Sequence, residues 1–175
     1  MRPFVGSEAR TGRSRADLVS GMERIGKLAD DPDRLAVADA TVSGWSVGQH
    51  VKHLWLVEDR ILGWIDQALD DPAGSPPGGS PSPTGGAVLV SGWIPRGRAK
   101  APAMTEPGPT EAADIAGRCE ALLDVLAGLE PRLREIHRSE CTLEHPLLGH
   151  FTPAQWMRFL DIHHRHHEKI IRDIL

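Results

Sequence analysis

The chain has 175 residues, 20 of them basic and 24 acidic, for a formal net charge of -4 with histidine neutral. That length is one domain's worth, a 40% apolar content suffices for a folded core, and the mild acidity gives no electrostatic attraction to nucleic acid or an anionic membrane. The composition has one anomaly: nine histidines, four of them between positions 163 and 167.

The opening MRPFVGSEAR lacks the apolar stretch of a secretion signal, and no apolar run reaches the roughly 18 residues of a membrane span. A cytoplasmic protein is expected. Cys119 and Cys141 form no CxxC pattern and suggest no disulfide framework.

A first helix is predicted from about Ser14, with Asp17 as its capping partner and Leu18, Met22, Ile25 and Ala29 at helical spacing. Asp30, Asp31 and Pro32 stop it. The second helix is capped by Ser46, with Gln49 completing a capping box, and runs to about Leu69. Val47, Val51, Leu54, Ile61 and Ile65 mark its apolar stripe, and Trp45 stands just before it as a packing residue.

Residues 70–109 hold nine of the 14 prolines and eight of the 18 glycines. They are predicted to form a long irregular connection, mobile over 71–86 and partly docked over 87–104. A third helix is expected from about Thr110, carrying Ile115, Leu122, Val125, Leu126 and Leu129. Gly128 and Pro131 should break it before one further turn at 133–138. The last helix has the strongest start: Thr152 as cap, Pro153 at the first position, Gln155 as box partner. Its core series is Trp156, Leu160, His163, His167, Ile170 and Ile174. With no convincing strand, the reading is one all-α domain over 1–175. It is a four-helix bundle with a long irregular crossover between helices 2 and 3.

His163 and His167 occupy stripe positions that Leu or Ile would ordinarily fill. Histidines four apart on a helix share a face and can bind one ion, although such pairs are common without a metal. A buried imidazole needs polar partners, and His50 and His53 on the second helix offer a third ligand across the bundle. Three neutral imidazoles with an open position suit Zn²⁺, with Ni²⁺ or Fe²⁺ as alternatives. His164 and His166 should flank the stripe or meet solvent.

GWSVGQHVKHLWLVE (44–58) and HPLLGHFTPAQWMRFLDIHHRHHEKI (145–170) together resemble the DinB-like superfamily, which includes the YfiT-like proteins. The family pattern has Trp-Ser/Thr-Val, a His eight residues after that Trp, and a late His-x-x-x-His. Here these fall on Trp45, His53, and His163 with His167. The HPLLG segment (145–149) and PRGRAKAP (95–102) also look like parts of some members. The resemblance implies a helical bundle, a divalent metal, zinc or alternatively nickel, held by His53, His163 and His167, and frequent homodimers. His50 is the second choice for the ligand on helix 2.

The resemblance further implies an enzyme acting on a small molecule, foremost a transferase moving a low-molecular-weight thiol. A metal-dependent hydrolase and a non-catalytic stress-response or ligand-binding dimer are the alternatives. No catalytic residue beyond the ligands is assigned. Glu58, Asp161 and Glu168 are expected on solvated faces, His145 and His150 in turn or capping roles. Trp156 should be core packing, Trp93 a residue of the connection, Cys119 a core residue and Cys141 a loop thiol.

Overall fold

A computed structural model describes residues 7–97, 101–108 and 112–175. It is predominantly helical. In chain order α1 spans Glu8–Gly26, α2 Pro32–Ala36, α3 Val47–Asp70, α4 Pro83–Ser91, α5 Ala112–Leu129, α6 Leu133–Arg138 and α7 Pro153–Ile174. Short 3₁₀ turns occupy Lys27–Asp30, Pro72–Gly74, Ala103–Thr105 and Glu130–Arg132. Two short strands, β1 (Leu143–His145) and β2 (Gly149–Phe151), precede α7.

Of the long helices, α1 packs on α5 and α7, and α3 packs on the same two. Leu18, Met22 and Ile25 of α1 meet Val51, Leu54, Ile61 and Ile65 of α3 in one core. Ile115, Leu122 and Leu126 of α5 and Trp156, Leu160 and Ile170 of α7 complete it. No helix among the described residues is long and apolar enough to cross a membrane.

The capping boxes form as the sequence predicts. Ser46 Oγ accepts from Gln49 N at 3.3 Å, and Ser46 N donates to Gln49 Oε1 at 3.0 Å. Thr152 and Gln155 make the same reciprocal pair at the start of α7. These boxes fix where α3 and α7 begin, and so fix the rotational phase of every histidine they carry. Pro131 breaks the chain after α5, and 133–138 adds one short helix, as expected.

Several expectations change. The first helix begins at Glu8 after Ser7, nearly two turns before the expected start near Ser14. Ser14 is not a cap; it lies buried within α1 and its hydroxyl donates to Asp161 Oδ2 at 3.5 Å. The expected start near Thr110 lies outside the described residues, as do 98–100 of the PRGRAKAP segment.

The 70–109 connection is less irregular than its composition suggests. Ser82 caps α4 by accepting from Gly85 N at 3.1 Å, Pro83 takes the first position, and Gly92 ends the helix with φ 68°. That is a complete set of helix start and stop residues. Val88 and Leu89 are buried. The preceding stretch is tied to the β1–β2 hairpin: Ser82 N donates to Leu148 O at 2.8 Å, and His150 N donates to Ser80 O at 3.1 Å. The hairpin itself is a strand pair that the reading did not anticipate, with Glu144 opposite His150.

Candidate metal centre

His53 projects from the second turn of α3, and His163 and His167 from successive turns of α7. One ring nitrogen from each lies within 4.8 Å of the other two. The ring centroids form a nearly even triangle, 5.1 Å from His53 to His163, 4.8 Å from His53 to His167 and 4.6 Å from His163 to His167. His53 Nε2 and His163 Nε2 are 3.3 Å apart. Two nitrogens bound to one ion at about 2.0–2.1 Å and a tetrahedral angle stand about 3.3–3.4 Å apart. The three residues singled out by the sequence are therefore brought together at a spacing that can hold a divalent metal.

The opposite ring nitrogens test that fit. His53 Nδ1 is 2.7 Å from the Thr105 carbonyl oxygen, so it carries the proton and donates it. This leaves the lone pair on Nε2, which faces His163. Thr105 lies in the Ala103–Thr105 turn, so the connection after α4 returns to orient a residue of α3. His167 Nδ1 is 2.9 Å from His50 Nδ1, and His50 Nε2 is 2.8 Å from Ser43 Oγ. Partners of this kind, a carbonyl and an imidazole backed by a hydroxyl, hold a ligating ring in one tautomer and orientation. His163 differs: its Nδ1 is buried without a partner among the described residues.

Aromatic rings close the site. Trp45 lies 5.3 Å from His50, 5.0 Å from His53 and 6.4 Å from His167, centroid to centroid. It is thus a wall of the histidine cluster and not simply a helix-start contact. Phe159 stacks on His163 at 5.5 Å and links it to His145 and Trp156. His145 accepts from Leu147 N through Nδ1 at 3.1 Å, the expected turn role, and also borders the site through Phe159.

Burial keeps the cluster neutral. It is the foremost cause that pushes His163 and His167 well below the ordinary histidine value, with the neighbouring imidazoles adding to it. His50 is lowered to about 4 by burial, then by His53, His166 and Arg96. Burial also lowers His53, against a partial opposing effect of the Thr105 carbonyl. Neutral imidazoles carry the lone pairs that a metal requires.

Of the other titratable candidates, Glu58 and Asp161 sit elsewhere than expected. Of the two places expected for His164, beside the stripe or in solvent, it takes the first: it is 2% exposed, and its Nδ1 is 2.7 Å from Glu58 Oε1. Glu58, expected on a solvated face, is 1% exposed. Asp161 is likewise buried, held by Arg158 at 2.7 Å and Arg165 at 2.8 Å. Glu168 pairs with Arg24 at 2.8 Å. Each carboxylate near the histidines in sequence thus has its own partner, and none belongs to the trio. His166 flanks the cluster, its ring 5.2 Å from His167. Trp156 and Cys119 are core residues as expected, and Cys141 is the expected loop thiol, buried and facing the Ala68 and Pro72 carbonyls. Trp93 is 64% exposed.

Two contributors escaped the sequence reading. Thr105 carries no signal, because only its carbonyl is used. Ser43 is the second: it lies in the loop before α3, seven residues from the His50 it contacts, and no periodicity connects the two.

Residues 13–171 match the family model described as the DinB superfamily. No curated protein and no solved structure matches the chain.

Proposed function

The chain belongs to the DinB superfamily, and on that premise we propose that it is a metal-dependent enzyme that transfers a low-molecular-weight thiol to an electrophilic small molecule. In this reading His53, His163 and His167 hold the ion, zinc before nickel. The observation that carries the assignment is the 3.3 Å approach of His53 Nε2 to His163 Nε2, with Thr105 holding the proton on the far side of His53. A divalent ion bound by three neutral imidazoles keeps its full charge and lowers the pKa of a thiol or water at the open position.

The rest of the work falls to the chain. Thr105 and His50 keep His53 and His167 in the ligating tautomer. Trp45 and Phe159 cover the rings and limit water around them. Thiol transfer is favoured over hydrolysis because a hydrolase of this kind would also call on a carboxylate base. Glu58, Asp161 and Glu168 are each committed to another cation or imidazole. The same reading takes the four long helices as the family's four-helix bundle and the protein as a cytoplasmic homodimer.

The test is metal content of the untagged protein and of His163→Ala, measured by plasma mass spectrometry. Close to one equivalent of zinc or nickel in the wild type and a loss in the variant supports the reading. Substoichiometric metal that the substitution leaves unchanged removes it. A screen of several thiols against a generic electrophile, with and without chelator, then separates transferase from hydrolase.

A further inference from the structure

One buried polar contact joins the two helices of the histidine trio without belonging to it. His164 Nδ1 lies 2.7 Å from Glu58 Oε1, and the two residues are 2% and 1% exposed. We propose that Glu58 and His164 are positioning residues for the metal centre: their contact fixes the register of α3 against α7 at which His53 meets His163 and His167. The inference rests on the metal reading of the trio.

Placement is the first argument. His164 follows His163 directly, about 1.5 Å further along α7 and about 100° around it. Glu58 stands five residues beyond His53, about 7.5 Å along α3 and about 140° around it. His163 and His53 thus turn toward the trio, while His164 and Glu58 turn toward the core. His50 meets His167 and His53 meets His163, so the two helices run antiparallel. Side chains lean toward the N-terminus of their own helix. In this antiparallel pair Glu58 and His164 therefore lean toward each other, and a slip of either helix pulls them apart.

Stability alone does not account for the pair. Glu58 Oε2 is buried without a hydrogen-bonding partner among the described residues, which is costly. Buried ion pairs are often replaceable by apolar residues without loss. The third helix also gives way to this contact. Gly21 of α1 lies against the His164 ring, where a Cβ would come 2.5 Å from Cδ2 and 2.6 Å from Nε2. A glycine inside a helix weakens it, so α1 too bears a cost for seating this imidazole.

What the contact supplies is direction. The core that α3 and α7 share is otherwise apolar, with Leu54, Ile61, Leu160 and Ile170 among its members. Apolar burial is non-directional, and such cores lose a unique arrangement before they lose stability. A ligand set must be held within about 0.5 Å of its working geometry. A hydrogen bond between two buried side chains constrains both distance and angle, and fixing register is the best-attested use of a buried polar contact between helices.

The test is cobalt(II) binding to the metal-free protein, read by the visible absorption of the ion, whose intensity and shape report its coordination. Wild type should bind close to one equivalent. Glu58→Leu/His164→Leu should stay folded, as urea unfolding checks, yet bind cobalt about ten- to a hundredfold more weakly, the scale of lost support for a metal ligand, with an altered spectrum. A merely structural contact would move the urea midpoint and leave the spectrum as it was. Glu58→Gln retains an acceptor for His164 and should match wild type in both affinity and spectrum. Gly21→Ala reaches the same ring from α1, keeps both polar groups and should also alter the spectrum; it carries the test if the double variant does not fold. The proposal is overturned if the folded variants bind cobalt as wild type does, or if Glu58→Gln loses as much as the double variant. A wild type that binds no cobalt removes the metal reading, and the proposal with it.

Discussion

His50 Nδ1 lies 2.9 Å from His167 Nδ1, and the other nitrogen of His50 lies 2.8 Å from Ser43 Oγ. One proton must sit between the two Nδ1 atoms. If His167 carries it, the His167 lone pair is on Nε2, on the side of His53 and His163, and His50 donates its Nε2–H to Ser43 Oγ. The three groups thus set the tautomer of a ligand from outside the trio.

Replacing His50 with Phe removes that acceptor while retaining an aromatic ring of similar size. All three ligands remain, so zinc should still bind, but about 10- to 100-fold more weakly, the usual cost of losing an outer partner of a ligating histidine. His50→Asn, which retains an acceptor, should recover part of the loss. Competition with a chromophoric chelator measures both. An affinity for His50→Phe equal to wild type would show that the contact does not orient His167.

The buried pair of Glu58 and His164 makes a different prediction, about stability. Burial pushes the His164 pKa down, but the Glu58 carboxylate, by charge and hydrogen bond, outweighs it and the value is raised. Glu58→Ala leaves a buried imidazole without its partner and should destabilise the fold by about 3–5 kcal/mol. The double variant Glu58→Leu/His164→Leu removes both polar groups and should return close to wild-type stability or exceed it. Urea unfolding of the single and double variants checks this; a double variant no better than Glu58→Ala would mean the pair itself supplies the stability.

Histidine burial also fixes the acid response of the metal-free protein. His50 and His145 are lowered to about 4, and His53, His163, His166 and His167 are lowered as well, with burial the largest cause in each. Below the ordinary value of 6.5 the unfolded chain takes up protons that the folded chain refuses, so stability must fall with pH. The loss should begin near pH 6.5 and continue down to about pH 4. His164 acts in the opposite sense: its contribution is full below 6.5 and is lost as pH rises through its raised folded value. Thermal melting across this range should show the net decline. The metal-loaded protein should decline more steeply, because protons and metal compete for the same lone pairs.

The ligand positions were legible because they rest on local rules. Two capping boxes set the phase of α3 and α7, and apolar periodicity then placed His163 and His167 inward. What surrounds them was less legible, for two reasons. Glu58 and Asp161 read as solvated because a carboxylate alone is seldom buried. His164 becomes the partner of Glu58 only once α3 and α7 pack together, whereas Arg158 and Arg165 stand one turn either way of Asp161 on α7 itself, a pairing the i,i+3 and i,i+4 spacing already held. The connection misled through composition. Its prolines and glycines suggested disorder, yet Ser82, Pro83 and Gly92 stand where a nine-residue helix needs a cap, a first residue and a stop. The hairpin escaped because β1 and β2 have three residues each, too few for alternation to register.

Two adjacent glycines in α4 offer a contrast that tests the docking of this connection. A Cβ on Gly85 would fall inside contact distance of the Leu148 carbonyl oxygen and 3.1 Å from Phe151 Cε1. That carbonyl is fixed, since it accepts the 2.8 Å bond from Ser82 N that ties the connection to the hairpin. Backbone cannot step aside as a side-chain tip can, so Gly85→Ala should cost about 1–3 kcal/mol, as overpacking does. A Cβ on Gly86 meets nothing within 4 Å. There the substitution removes only the entropy cost of glycine in a helix, and Gly86→Ala should stabilise by about 0.5–1 kcal/mol. Denaturation midpoints of the two variants should move in opposite directions. If α4 is not seated on the hairpin as the Gly85 contact requires, both substitutions will stabilise.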